Sequence, residues 1–159
     1  MTILVVSIGH MQNLFQKDSV QDILDRLEHL QQSSQPLWGK MNASQMLAHC
    51  AIPLQVALGD RQLNRTFLGW IFGRTVKKKM TNKEPFKKNL PSVPRFIIKD
   101  QRNFEIEKQQ LQSLIRRFES ADSVAMAENS HPFFGKMSAE EWSLLSYKHL
   151  DHHLRQFGN

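Results

Sequence analysis

Cysteine is almost missing from this chain: Cys50 is the only one among 159 residues. An internal disulfide is thereby excluded, and the composition fits a reducing compartment. Long apolar runs are missing as well, and none approaches the roughly 20 residues that a helical membrane span requires. Period-two alternation does not persist beyond the first eight residues, which removes the usual signature of half-buried strands. The most basic stretch has few aromatics spaced for base stacking and no motif of a nucleic-acid module, so nucleic acid is not expected as a partner. No carboxylate falls at a spacing that assigns a general base.

What is present is an ordinary globular composition, 40 % hydrophobic and 23 % charged. The length suits one domain that buries roughly two-thirds of its unfolded surface. The opening Met1-Thr2-Ile3-Leu4-Val5-Val6-Ser7-Ile8 is greasy but lacks a basic leader and a cleavage site, which makes it a poor signal peptide. Met11 reads as a plausible start. Residues 1–10 are then a non-native or loosely ordered extension, and 11–159 a single cytoplasmic domain.

The net charge of +6 is unevenly spread. From Arg74 to Arg102 ten Lys or Arg stand against Glu84 and Asp100, a local +8, so the remainder sums to −2. A solvated face explains such a run, and so does an anionic partner.

Helix signals dominate the chain. Asp18 and Gln21 have capping-box spacing, and Val20, Ile23, Leu24, Leu27 and Leu30 follow at helical intervals, which predicts a helix over about 18–32. Asn42 with Gln45 opens a second helix, with Met46, Leu47, Cys50 and Leu54 on its buried side, a kink at Pro53 and an end at Gly59. Phe67 to Phe72 is apolar and could begin a helix running into Lys77-Lys78-Lys79, after which Pro85, Pro91 and Pro94 predict an extended connection hugging the surface. Phe104, Lys108, Leu111, Ile115 and Phe118 mark a third main helix over 101–119, Ala121 to Asn129 reads as a linker, and Ser138 with Glu141 opens the last helix over 138–157. The expected fold is all-α: four main helices, with a long, irregular, basic connection between the second and third.

One internal echo stands out. Pro36-Leu37-Trp38-Gly39-Lys40-Met41-Asn42-Ala43 aligns with Pro132-Phe133-Phe134-Gly135-Lys136-Met137-Ser138-Ala139. Each copy ends at an N-cap and launches a helix. Two pseudo-symmetric helix starts would produce this; so would chance over eight positions.

Chemistry concentrates in Lys148-His149-Leu150-Asp151-His152-His153. His149 and His153, at i and i+4, leave one face of a helix and can offer two imidazole nitrogens to one metal ion. His49 stands seven residues past its N-cap and His149 eleven past its own, a difference of about one turn, so both share an azimuth relative to their elbows. The expected ligand set is His49, His149 and His153. His152 is expected at the surface or behind the ligands, although a 149/152 pair at i, i+3 also fits. Gln45, Asp151 and Gln156 are candidates for orienting the imidazoles. His10, His29 and His131 lack such company. Three neutral imidazoles leave a coordination position open, but they suit Zn, Ni, Cu and Fe alike. Cys50 points about 100° away from His49 and reads as a buried, inert thiol.

Together these stretches resemble the DinB/YfiT-like superfamily of metal-binding four-helix bundles, and more narrowly its branch called DUF1569. The likeness covers about 11–158. It rests on Gln35 to Cys50, on His131 to Trp142 and on His149 to Phe157. The resemblance implies a three-histidine site with His49 from the second helix and His149 and His153 from the last. It also implies a divalent transition metal, zinc or nickel foremost, and a low-molecular-weight thiol as cosubstrate. The function expected is a metal-dependent thiol transferase or hydrolase acting on a small molecule, with a homodimer among the assemblies. The alternative is a non-catalytic, stress-associated binding or oligomerisation module whose metal is structural.

Overall fold

The computed structural model describes residues 12–159. The extension expected over residues 1–10 lies outside the described residues, as does His10. Six α-helices are present among them: α1 Lys17–His29, α2 Ala43–Ala57, α3 Phe67–Met80, α4 Phe104–Glu119, α5 Ser123–Glu128 and α6 Ala139–Gln156. A hairpin of two short antiparallel strands, β1 Ser130–His131 and β2 Gly135–Lys136, precedes α6.

Four of the helices make the core. α2 packs on α4 and α6, and α1 packs on the same two. The apolar positions expected of α1, namely Val20, Ile23, Leu24, Leu27 and Leu30, are all buried, but Leu30 lies just past the helix, and the Asp18/Gln21 box does not form because the helix starts earlier, after Gln16. On α4 the stripe Leu111, Leu114, Ile115 and Phe118 faces inward, each such side chain contributing about 1.5–3 kcal/mol through burial. α2 is buried on nearly every side and runs on through Pro53 without a break. The all-α, four-helix expectation is met.

Two stretches differ in detail from the reading of the sequence. The segment from Ala121 to Asn129 is not a plain linker. Asp122 accepts from the backbone N–H of Val124 at 2.8 Å and so starts α5, whose Met126 is buried in the core. The connection after α2 carries, as the 14-residue α3, the helix that Phe67 to Phe72 were read as beginning, and the extended path beyond it is interrupted by a short 3-10 turn at Pro94–Phe96. No helix among the described residues is long and apolar enough to cross a membrane.

The two echoed elbows adopt one local design. Gly39 and Gly135 both take left-handed backbone conformations, with φ of +83° and +74°, which only glycine adopts at little cost. Three residues later, Asn42 accepts from the Gln45 N–H and Ser138 from the Glu141 N–H. The side chains of Gln45 and Glu141 reach back to the cap N–H, completing both capping boxes. Both helices that carry candidate ligands therefore start from a fixed turn.

The connection is drawn over the bundle by polar anchors. Lys148 on α6 donates to the carbonyl oxygens of Met80 and Asn82 at 2.7 and 2.8 Å and to Asn82 Oδ1 at 3.1 Å. Lys77 pairs with Glu141 at 2.9 Å and donates to the Lys136 carbonyl. These contacts seat the connection against the face of α6 that bears the histidines.

Candidate metal centre

His49 from α2 meets His149 and His153 from α6, although His49 and His149 are 100 residues apart in the chain. One ligating nitrogen of each lies within 4.8 Å of the others. His49 Nε2 and His149 Nε2 approach to 3.0 Å, close to the roughly 3.3 Å that separates two nitrogens sharing a tetrahedral ion at about 2.0–2.1 Å. The ring centres of His153 lie 4.7 Å from His49 and 4.6 Å from His149.

The outer nitrogens of two of these rings have oxygen partners that set the tautomer. His49 Nδ1 is 2.8 Å from the Phe96 carbonyl oxygen. A carbonyl can only accept, so Nδ1 carries the proton and Nε2 presents its lone pair to the cluster. His153 Nδ1 lies 2.7 Å from Gln156 Oε1. The orientation of that amide is itself fixed, because Gln156 Nε2 donates to the Trp38 carbonyl at 2.6 Å. The relay from Trp38 through Gln156 thus leaves His153 Nε2 unprotonated. Such outer partners are what a metal-ligating histidine requires.

The electrostatics favour neutral rings throughout. Burial holds His49 below the ordinary imidazole value and His149 well below it, and pushes His153 down to about 3. His49 and His153 are buried, whereas His149 keeps some accessible surface where it faces a cavity. Burial also pushes the Cys50 thiol far up, so it stays protonated; its Sγ contacts Met46 Sδ at 3.7 Å, away from the histidines.

The remaining sequence candidates separate cleanly. Gln156 touches a ring of the cluster, through the His153 Nδ1 contact. Gln45 does not: its side chain accepts from the Asn42 N–H and donates to the Asp100 carbonyl at 3.2 Å. Asp151 faces Arg26 at 3.0 Å and Arg155 at 2.8 Å, away from the rings of the cluster. His152 is buried beside the cluster and not part of it, with its ring 5.1 Å from His153 and 5.7 Å from Trp38. His29 is exposed on α1.

A cavity of about 130 Å³ opens beside the cluster. Its walls include Pro53, Phe86, Val93, Phe96 and Leu145, and the connection supplies one side. A second cavity of about 190 Å³ shares His49, His152 and His153 and extends toward the Trp38 elbow.

Two polar side chains of the first cavity were missed by sequence reasoning. His131 is buried there, stacked on Phe134 at 4.3 Å, and its Nδ1 accepts from the backbone N–H groups of Phe133 and Phe134, both at 3.1 Å. Its proton therefore resides on Nε2, and burial pushes its pKa down to about 3. Ser146, one turn before His149, has a buried Oγ with no hydrogen-bond partner among the described residues. The one available signal for His131 was its position directly ahead of the elbow that launches α6.

A family model described as "Protein of unknown function (DUF1569)" matches residues 11–159, and the chain belongs to that family. No curated protein and no solved structure matches it.

Proposed function

We propose that this member of the DUF1569 family is a metal-dependent enzyme acting on a small, largely apolar molecule, with His49, His149 and His153 as the ligands of a divalent transition metal. The observation that carries the reading is the pair of outer hydrogen bonds. Phe96 and Gln156 hold the Nδ1 protons of His49 and His153 and leave both Nε2 lone pairs on the cluster side. A purely structural histidine has no need of such a preset donor face.

The donor set fits zinc or nickel by ligand type, as three neutral imidazoles with the remaining positions free. Such an ion, when bound, would lower the pKa of a coordinated water or thiol or polarise a carbonyl. The chain's own residues account for the rest. The apolar walls formed by Pro53, Phe86, Val93, Phe96 and Leu145 select an apolar body and exclude water. Ser146 Oγ and the Nε2–H of His131 offer donors for a polar substrate atom in the same cavity.

A DinB-like thiol transferase using a low-molecular-weight thiol is the first reaction class to try, and a hydrolase the second. The lone, protonated Cys50 suits the reducing cytoplasm where such thiols abound. The deep burial of His49 and His153 favours one competing reading, a structural metal in a non-catalytic module.

Elemental analysis of the untagged protein beside His49→Ala and His149→Ala tests the site. About one equivalent of a transition metal in the parent, lost in both variants, is expected. No metal after reconstitution removes the enzyme reading. Metal that raises the melting temperature, without reactivity toward thiols or labile esters, transfers the conclusion to the structural alternative.

A further inference from the structure

α3 is packed the wrong way round for a helix that belongs to the core. Gly69 and Gly73, one turn apart, are its buried residues, and a Cβ at either would run into the Phe133 backbone carbonyl oxygen. The hairpin also holds its start: the Thr66 N–H donates to the Pro132 carbonyl at 2.8 Å, and Thr66 Oγ1 caps Gly69 at 3.1 Å. The opposite half of the helix therefore carries Phe67, Leu68, Trp70, Ile71 and Phe72 into solvent, each more than half exposed, from 52 % at Phe72 to 77 % at Phe67. An amphipathic helix normally does the reverse. A contiguous exposed patch of this size marks an interaction surface.

The surroundings of the patch identify what it meets. Arg61 and Arg65 precede it, and Arg74, Lys78 and Lys79 follow on its exposed side. No acidic residue occurs between Arg61 and Lys83. A second copy seated by two-fold symmetry would set this basic collar against itself. Nucleic acid would match the charge and could stack on Phe67, Trp70 and Phe72, but it would leave the exposed aliphatic Leu68 and Ile71 without a partner. An anionic bilayer satisfies both halves, because the acyl boundary takes the apolar side chains while phosphate groups face the arginines and lysines.

We infer that α3 docks this protein on an anionic lipid surface. Phe67, Leu68, Trp70, Ile71 and Phe72 enter the headgroup–acyl boundary, and Arg74, Lys78 and Lys79 lie among the headgroups. The inference is independent of the metal centre. The chain associates peripherally, since a 14-residue helix is too short to span.

Sedimentation of the full chain with vesicles of phosphatidylcholine alone, or containing about one-third phosphatidylserine, tests this. Trp70 is exposed, while Trp38 is half-buried and Trp142 fully buried, so tryptophan emission should shift to the blue on binding, and Trp70→Phe should abolish the shift. The expected result is binding to anionic vesicles that weakens as salt rises from about 0.1 to about 0.5 M. Ile71→Glu should reduce partitioning by about ten-fold or more while leaving melting unchanged. Absence of binding to anionic vesicles overturns the proposal, as does equal binding to neutral ones. Sedimentation velocity showing a dimer that Ile71→Glu dissociates would hand the patch to a second copy. Displacement of the vesicles by an oligonucleotide would hand it to nucleic acid.

Discussion

Gln156 offers the sharpest single test of the proposed metal centre. Its amide receives the Nδ1–H of His153 at 2.7 Å and donates to the Trp38 carbonyl at 2.6 Å, so one side chain fixes the tautomer and orientation of one candidate ligand. Gln156→Ala leaves all three histidines in place but frees His153 to rotate and to move its proton to Nε2. Losing a partner of this kind lowers metal affinity by about 10- to 100-fold, or about 1–3 kcal/mol. The metal-free protein should also lose about 1–3 kcal/mol, because the Trp38 carbonyl and the His153 N–H are left without their partner. Gln45→Ala is the matched control. That side chain is one turn from His49, yet it bonds only to the Asn42 N–H and the Asp100 carbonyl. It should cost about 0.5–2 kcal/mol of helix-cap stability without changing metal affinity. Competition against a chromophoric chelator gives the affinities, and urea unfolding of the stripped proteins gives the stabilities. Parental affinity in Gln156→Ala, or an equal loss in Gln45→Ala, would refute the relay.

Acid should destabilise the metal-free protein through its buried histidines. His131 falls from 6.5 to about 3 on folding, so below about pH 6.5 the unfolded chain binds the extra proton and stability drops toward pH 3. This one group makes the protein about 2 kcal/mol less stable at pH 5 than at pH 7, and urea titrations of His131→Gln should show a correspondingly flatter profile. Ser146→Ala removes a buried hydroxyl without a partner, so chemical denaturation should show no loss of stability or a gain of up to about 1 kcal/mol; a clear loss would mean the hydroxyl is bonded. Gly69→Ala drives a methyl group toward the Phe133 carbonyl, and about 1–3 kcal/mol of overpacking should detach α3, seen as faster proteolysis between residues 60 and 85 while the helical circular-dichroism signal is largely kept.

Much of this architecture was legible because local chemistry and tertiary structure agree. The Asn42/Gln45 and Ser138/Glu141 boxes form as their spacing dictates, and the i, i+4 pair of His149 and His153 does share a face that meets His49. Gln156 was legible as a neighbour, but Gln45 and Asp151 were equally plausible on spacing. What separates them is the Trp38 elbow and Arg26, which are brought in from distant parts of the chain. α5 is six residues long and is stabilised by Met126 in the core more than by any periodicity. His131 escaped notice because its partners are two successive N–H groups of a turn, and backbone direction is not written in side-chain pattern. α3 was read as apolar without its orientation. The decisive fact, that its glycines and not its aromatics face the protein, depends on the Phe133 carbonyl.

The distance along the chain between the two halves of the cluster has a consequence for how the protein is made. His49 and His149 are separated by 100 residues, which a ribosome adds in about 5–20 s. Throughout that interval α2 exists without α6. The Phe96 carbonyl that orients His49 arrives midway, and the paired rings come later still. The cluster is therefore a record of completed synthesis. A chain interrupted before α6 can carry a capped α2 and a stretch of bundle, but it holds one imidazole of the three that form the cluster.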